Sequence, residues 1–250
     1  MTGRILTTLA SDGCLEVTID RTEAGNALTA AMTDELRVLF HTPPEAARFV
    51  LLQGAGQDFC AGRDSPMPPN DGAVTARTIR TRVADPVLDF YESLRELPLP
   101  VIAVVKGRAL GVGLALAGLA DIVLADTTAR FALPEMGRDI PPLLVGTAMA
   151  DRLSRAALAK LIFGREEVSA EEAVAMGLAA EACQQDMLDE RVAHYRAKLS
   201  QNSLTTLTTV KRFLNAAPGL NFAMRREYAA AEISAATSER YIKTEKEKPR

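Results

Sequence analysis

The sequence predicts an α/β fold followed by a helical C-terminal part, and three observations carry that prediction. The apolar runs at 47–53 and 101–106 are rich in Val, Ile and Leu and bounded by turn residues, as strands buried on both faces require. Between them lie stretches with apolar residues at helical spacing. From about Asp151 onward strand-like runs give way to helical patterns. Strand, crossover and strand in this order point to α/β layering with right-handed crossovers.

Taken in order, residues 4–9 and 13–20 read as a hairpin turning at Ser11-Asp12-Gly13, with β-branched Val17, Thr18 and Ile19 in the second arm. Thr29 is placed to cap a helix running to about Phe40, with Met32, Leu36 and Leu39 on one face and Thr42-Pro43-Pro44 as its stop. The strand at 47–53 leads into a glycine-containing loop at 54–64. Pro66, Pro68, Pro69 and Asn70-Asp71-Gly72 follow, which is turn chemistry and reads as a mobile segment. A helix over 74–97 ends at Pro98 and Pro100. Then come a strand at 101–106, a loop at 107–111, a short helix at 112–120 and a strand at 121–125. The later helices fall at 155–163, 170–176, 187–199, 204–215 and 222–236, and the charged stretch 237–250 is expected at the surface.

Composition bounds the function. The chain has 250 residues, 48% of them hydrophobic, and a formal net charge of -3. A compact fold of that size buries roughly 70–75% of the surface its unfolded chain exposes, so neither metal nor disulfide is needed for stability. Cys14, Cys60 and Cys183 are odd in number, widely spaced and without a CxxC or Cys/His cluster, which fits a reducing cytoplasmic compartment and no metal site. The slight acidity, 5% aromatic content and absence of Trp argue against nucleic acid as a partner. The N-terminus lacks a basic region followed by an apolar core. The longest uncharged apolar run, 109–120, is interrupted by glycines and falls short of the ~20 residues a membrane helix needs. His41 and His194 have no companion ligands and read as surface residues.

Two strand-to-loop junctions carry the chemistry: Phe59-Cys60-Ala61-Gly62-Arg63-Asp64 and Gly107-Arg108-Ala109-Leu110-Gly111-Val112-Gly113. Glycine lets a backbone approach a ligand and present its N–H groups, and the second loop opens a helix whose free N–H groups favour negative charge. One N–H from each loop would make an oxyanion hole; the bland alternative is a pair of ordinary turns. The pattern is not a dinucleotide fingerprint, because GVGLAL lacks the third glycine, and neither a GxSxG elbow nor a GxxxxGK[ST] loop is present.

Five segments in order, DRTEAGNAL (20–28), DFCAGRD (58–64), PVIAVVKGRALGVGLALAGLADIVLAD (100–126), ARFALPE (129–135) and SAEEAVAMGLAAE (169–181), resemble the crotonase (enoyl-CoA hydratase/isomerase) superfamily. The resemblance implies a spiral of ββα units over residues 1–190 holding an acyl-CoA site. It also implies a C-terminal helical region at 191–250 that builds a homo-trimer or a hexamer, a dimer of trimers. It places the two oxyanion donors on the N–H groups of Arg63 and Val112, with valine where the family usually has glycine. Of the two glutamates that hold water in hydratases, the first maps onto Ala115 and only the second, Glu135, is retained. One carboxylate suffices to move a proton between two carbons, so an enoyl-CoA isomerase is favoured. Hydration or thioester hydrolysis of an unusual acyl group, or a non-catalytic acyl-CoA-binding oligomer, are the alternatives.

The same resemblance assigns Cys60, Ala61, Gly62 and Gly111 to the CoA-binding surface, with Arg21 the one cation left near the phosphates and Lys243, Lys246 and Lys248 as candidates in the tail. Asp64 is expected to hold its loop. Asp139 either reaches the pocket as a second acid/base or, the favoured reading, pairs with Arg138 at the surface. Coenzyme A enters as part of the substrate, and no metal or redox cofactor is implied.

Overall fold

The structure, a computed structural model, describes residues 3–64 and 74–246. The turn-rich segment with Pro66, Pro68, Pro69 and Asn70-Asp71-Gly72 lies outside the described residues, as do Lys248 and the side chains of Lys243 and Lys246.

The expected hairpin forms from β1 (Arg4–Leu9) and β2 (Cys14–Asp20), antiparallel with Leu9 opposite Leu15. Its turn is closed by the Asp12 carboxylate accepting from the Cys14 N–H at 3.0 Å. β3 (Phe49–Gly54), β4 (Val101–Val105), β6 (Ile122–Asp126) and β9 (Glu181–Cys183) extend it in parallel, giving the order β1-β2-β3-β4-β6-β9. A second, three-stranded sheet comprises β5 (Arg108–Leu110), β7 (Arg130–Ala132) and β8 (Val168–Ser169).

Both faces of the large sheet are covered, which is why its central strands are apolar throughout. Val50, Leu52, Val101, Ala103, Val105, Val123 and Ala125 face the main core. There they meet α1 (Ala30–His41), α3 (Asp85–Glu96), α4 (Val112–Leu119) and α5 (Leu143–Met149). Their neighbours Phe49, Leu51, Ile102, Val104 and Leu124 point the other way, onto Leu188, Val192, Tyr195 and Leu199 of α8 (Leu188–Ser200). Residue 190 thus falls inside a helix packed on the sheet. Thr29 caps α1 as expected, its hydroxyl accepting from the Met32 N–H.

The structure departs from the sequence expectation where elements are short. The stretch 107–111 contains β5 rather than only loop, and β7, β8, β9 and α5 carry no pattern long enough to read. The single helix expected over 74–97 is divided into α2 (Ala76–Ile79), a π-turn over Arg80–Ala84, and α3. After α6 (Arg155–Gly164), α7 (Ala170–Ala175) and α9 (Leu204–Ala216), α10 runs Phe222–Lys246, past the expected end at 236. Glu, Lys and Arg propagate a helix well without burial, so loss of the apolar pattern does not end it.

Candidate active site

Three chain segments converge because the small sheet aims them. β5 and β7 lie parallel with Leu110 opposite Ala132, so the loops leaving them start at the same end of the sheet. The Gly111 N–H donates to the Ala132 carbonyl at 3.0 Å, joining those loops. The first glycine loop is tied to β5 by a bridge between Cys60 and Ala109: the Cys60 N–H donates to Arg108 O at 2.9 Å and the Leu110 N–H to Cys60 O at 3.0 Å. A Cβ on Gly113 would strike the Cys60 carbonyl oxygen, so glycine there permits α4 to begin against the first loop.

A cavity of about 230 Å³ opens at this junction, and its wall includes Arg63, Gly111, Val112 and Glu135. Among the described residues, neither the Arg63 N–H nor the Val112 N–H donates to a backbone acceptor. Arg63 is spared because its parallel bridge with Leu28 uses the N–H groups of Leu28 and Asp64. Val112 is spared because it is the first residue of α4, where no earlier turn supplies a carbonyl. Two free donors at a cavity wall are the requirement for holding an oxyanion.

Glu135 stands on a 3₁₀ turn, Pro134–Arg138, that follows β7 directly. Its Oε1 lies over Gly111, 2.8 Å from where a Cβ would be. Oε2 is buried with no hydrogen-bond partner among the described residues. Burial pushes the carboxyl above its ordinary range, against the lowering effects of its own backbone N–H and of Arg138. Glu135 is the one carboxylate in the described cavity wall. Ala115 is wholly buried in the core on α4, a turn beyond the donor, and supplies no second acid.

The remaining expected residues are distributed as follows. Ala61 and Gly62 line the cavity, whereas Cys60 is wholly buried, its backbone groups taken by the ladder and its thiol pushed up to about 12 by burial. The Arg21 guanidinium pairs with Asp64 at 2.6 Å and donates to Ala27 O at 3.0 Å, so its charge braces the first loop. Asp139 is exposed, in the left-handed region at φ 56°, and ends the 3₁₀ turn. It is absent from the cavity wall and makes no ion pair with Arg138 among the described residues, so neither role expected for it is realised here.

Sequence reasoning missed Tyr91. It lies on α3 with Val87, lines the cavity, and has a buried hydroxyl with no partner among the described residues. Its only sequence signal is a hydroxyl, shared with Ser93, on the otherwise apolar buried face Val87, Phe90, Tyr91, Ser93, Leu94. Burial and the nearby Glu135 charge raise its pKa, so the phenol stays protonated.

A family profile described as enoyl-CoA hydratase/isomerase matches residues 10–248. The chain belongs to that family. A Rhodobacter capsulatus protein assigned as an enoyl-CoA hydratase is 32% identical over 82% of this chain and 79% of its own length. An enoyl-CoA hydratase structure from Mycobacterium smegmatis superposes with a TM-score of 0.86 at 24% identity, covering 98% of each chain, and bears on the fold. A Thermobifida fusca family structure in complex with acetoacetyl-CoA superposes with a TM-score of 0.82 at 25% identity, covering 94% of this chain and 95% of that one. The chain is therefore a crotonase-family enzyme, on a crotonase spiral with C-terminal helices. No helix among the described residues is long and apolar enough to cross a membrane.

Proposed function

We propose that this enzyme is an enoyl-CoA isomerase, moving a double bond from the 3 to the 2 position of an acyl thioester. The observation that supports this reading is the lone carboxylate: Glu135 lines the cavity while the position on α4 that would hold a second glutamate is Ala115. In the proposed cycle the thioester carbonyl accepts from the N–H groups of Arg63 and Val112. The Glu135 carboxylate takes a proton from C2, and the electron pair moves onto the thioester oxygen as a dienolate. The same carboxyl then returns the proton to C4 and the double bond settles between C2 and C3, so no atom is gained or lost. Coenzyme A arrives with the substrate, and the cycle calls on no metal or redox cofactor. Incubation with 3-enoyl-CoA and 2-enoyl-CoA separately, following both products, tests the reading. Isomerisation should exceed hydration and should collapse in Glu135→Gln. Hydration as fast as isomerisation would favour the hydratase reading, which the assignment of the Rhodobacter relative supports.

We further propose that the C-terminal helices assemble copies of the chain into a trimer or dimer of trimers in the cytoplasm. Exposed Val210, Leu214, Phe222 and Ile233 on α9 and α10 support that assembly.

A further inference from the structure

The cavity holds a cation that the isomerase cycle does not use. Arg63 lines it, half-buried, and burial lowers the pKa of its guanidinium, the sign of a charge partly stripped of water. Among the described residues no carboxylate forms an ion pair with Arg63. Glu135 is affected by Arg138 rather than by Arg63, while Arg63 and the neutral Tyr91 phenol lie close enough for each to affect the other's titration. Tyr91, in the same wall, is itself anomalous: it is only 4% exposed, and its buried hydroxyl has no hydrogen-bond partner among the described residues. A purely apolar acyl chain would leave both donors unsatisfied and would further desolvate the guanidinium, which is costly for each group. Arg138 at the rim adds a second positive charge, so cations outnumber carboxylates in the described wall.

We propose that the acyl chain of the substrate carries a second, ionised carboxylate, received by the Arg63 guanidinium and the Tyr91 hydroxyl. A planar guanidinium and a neutral phenol are both donors, and together they match the acceptor oxygens of a carboxylate. The same arginine offers its backbone N–H to the thioester oxygen and its side chain further along the acyl group. The span between thioester and carboxylate is then bounded by one arginine side chain, which selects a short dicarboxylic acyl group. This inference rests on the acyl-CoA reading of the cavity.

Calorimetric titration with glutaryl-CoA, valeryl-CoA and free CoA tests it, since two acyl groups of equal carbon count differ in the terminal carboxylate and neither has a double bond to move. The protein should bind glutaryl-CoA about ten- to a hundredfold more tightly than valeryl-CoA, the range expected when a carboxylate gains charge-assisted hydrogen bonds. Arg63→Met should bring that ratio close to one, Arg63→Lys should keep part of it, and Tyr91→Phe should lower it severalfold. Because the readout is a ratio, a shift of the Arg63 backbone affects both thioesters and cancels. A ratio near one in the parent protein, or one that survives Arg63→Met, overturns the inference. Equal weakening of free CoA and glutaryl-CoA by Arg63→Met also overturns it, because the cation would then serve the CoA phosphates. Failure of every CoA species to bind removes the acyl-CoA reading as well. A glutaryl preference without turnover of any enoyl thioester upholds the substrate class and overturns the isomerase alone.

Discussion

Glu135 shows how one residue ties chemistry to stability. In the proposed cycle its carboxyl must be ionised to take a proton, yet burial favours the protonated form. The acid limb of kcat/KM should therefore lie above the ordinary carboxylate range, with activity rising as pH rises through the raised pKa. Glu135→Gln should lower kcat by about 10²–10⁴, the usual contribution of a general acid/base. Stability has the opposite sign. The folded protein holds this proton more tightly than the unfolded chain, so the contribution is full below about 4.5, the ordinary value, and is lost as pH rises through the folded value. Glu135→Gln should accordingly melt higher than the parent at pH 7–8, with the gain fading towards pH 4. Gly111 is constrained twice, by φ 51° and by Glu135 Oε1 standing where a Cβ would point. Gly111→Ala should cut kcat/KM by about 10²–10³, as for loss of an oxyanion donor, because either the donor loop or the carboxylate must move. Steady-state kinetics on protein with unchanged circular dichroism checks this. At this scale Arg63, Val112 and Glu135 were legible because their motif neighbours are distinctive. Tyr91 was not, since a tyrosine on an apolar helix stripe has the pattern of ordinary core and its orphaned hydroxyl exists only once the fold surrounds it.

Legibility at the scale of elements followed length. β3 and β4 each supply a run of apolar residues buried on both faces, whereas β5 and β7 have three residues apiece, too few for any period. What makes β5 and β7 strands is tertiary: they pair with one another, and the bridge at Cys60 holds the first loop to them. The site thus depends on the elements hardest to read. The C-terminal helices are joined to the sheet by charged contacts equally invisible in sequence. Lys211 of α9, 3% exposed, pairs with Asp121 at 2.7 Å, and that carboxylate also accepts from the Val101 N–H at the start of β4. Removing the cation leaves a largely buried carboxylate short of its partner, a change that costs about 3–5 kcal/mol in buried pairs. Lys211→Met should lose stability on that scale in urea titration. The double variant Lys211→Met/Asp121→Asn should recover part of it, since no unpaired charge remains.

The proposed assembly of the whole molecule turns on apolar surface that the single chain does not use. α10 packs on α9 through the stacked rings of Phe213 and Tyr228 and the Arg212–Glu232 pair at 2.7 Å. Beyond that contact Phe222 and Ile233 remain 77% and 65% exposed, and Val210 and Leu214 on α9 are also open. A few isolated apolar residues on a surface are ordinary, but several on two adjacent helices at one end of a chain mark an association surface. A closed symmetric assembly would bury them, whereas one chain alone would carry them as an aggregation liability. Sedimentation velocity of the parent protein should therefore show a species several times the 26.9 kDa of one chain. Phe222→Glu with Ile233→Glu places like charges into the proposed contact and should shift the distribution towards single chains, with far-UV circular dichroism preserved because both side chains already face solvent in one chain. A parent protein that sediments as one chain would remove the assembly proposal. The proposed acyl-CoA cavity, whose described wall comes from one chain, would still stand.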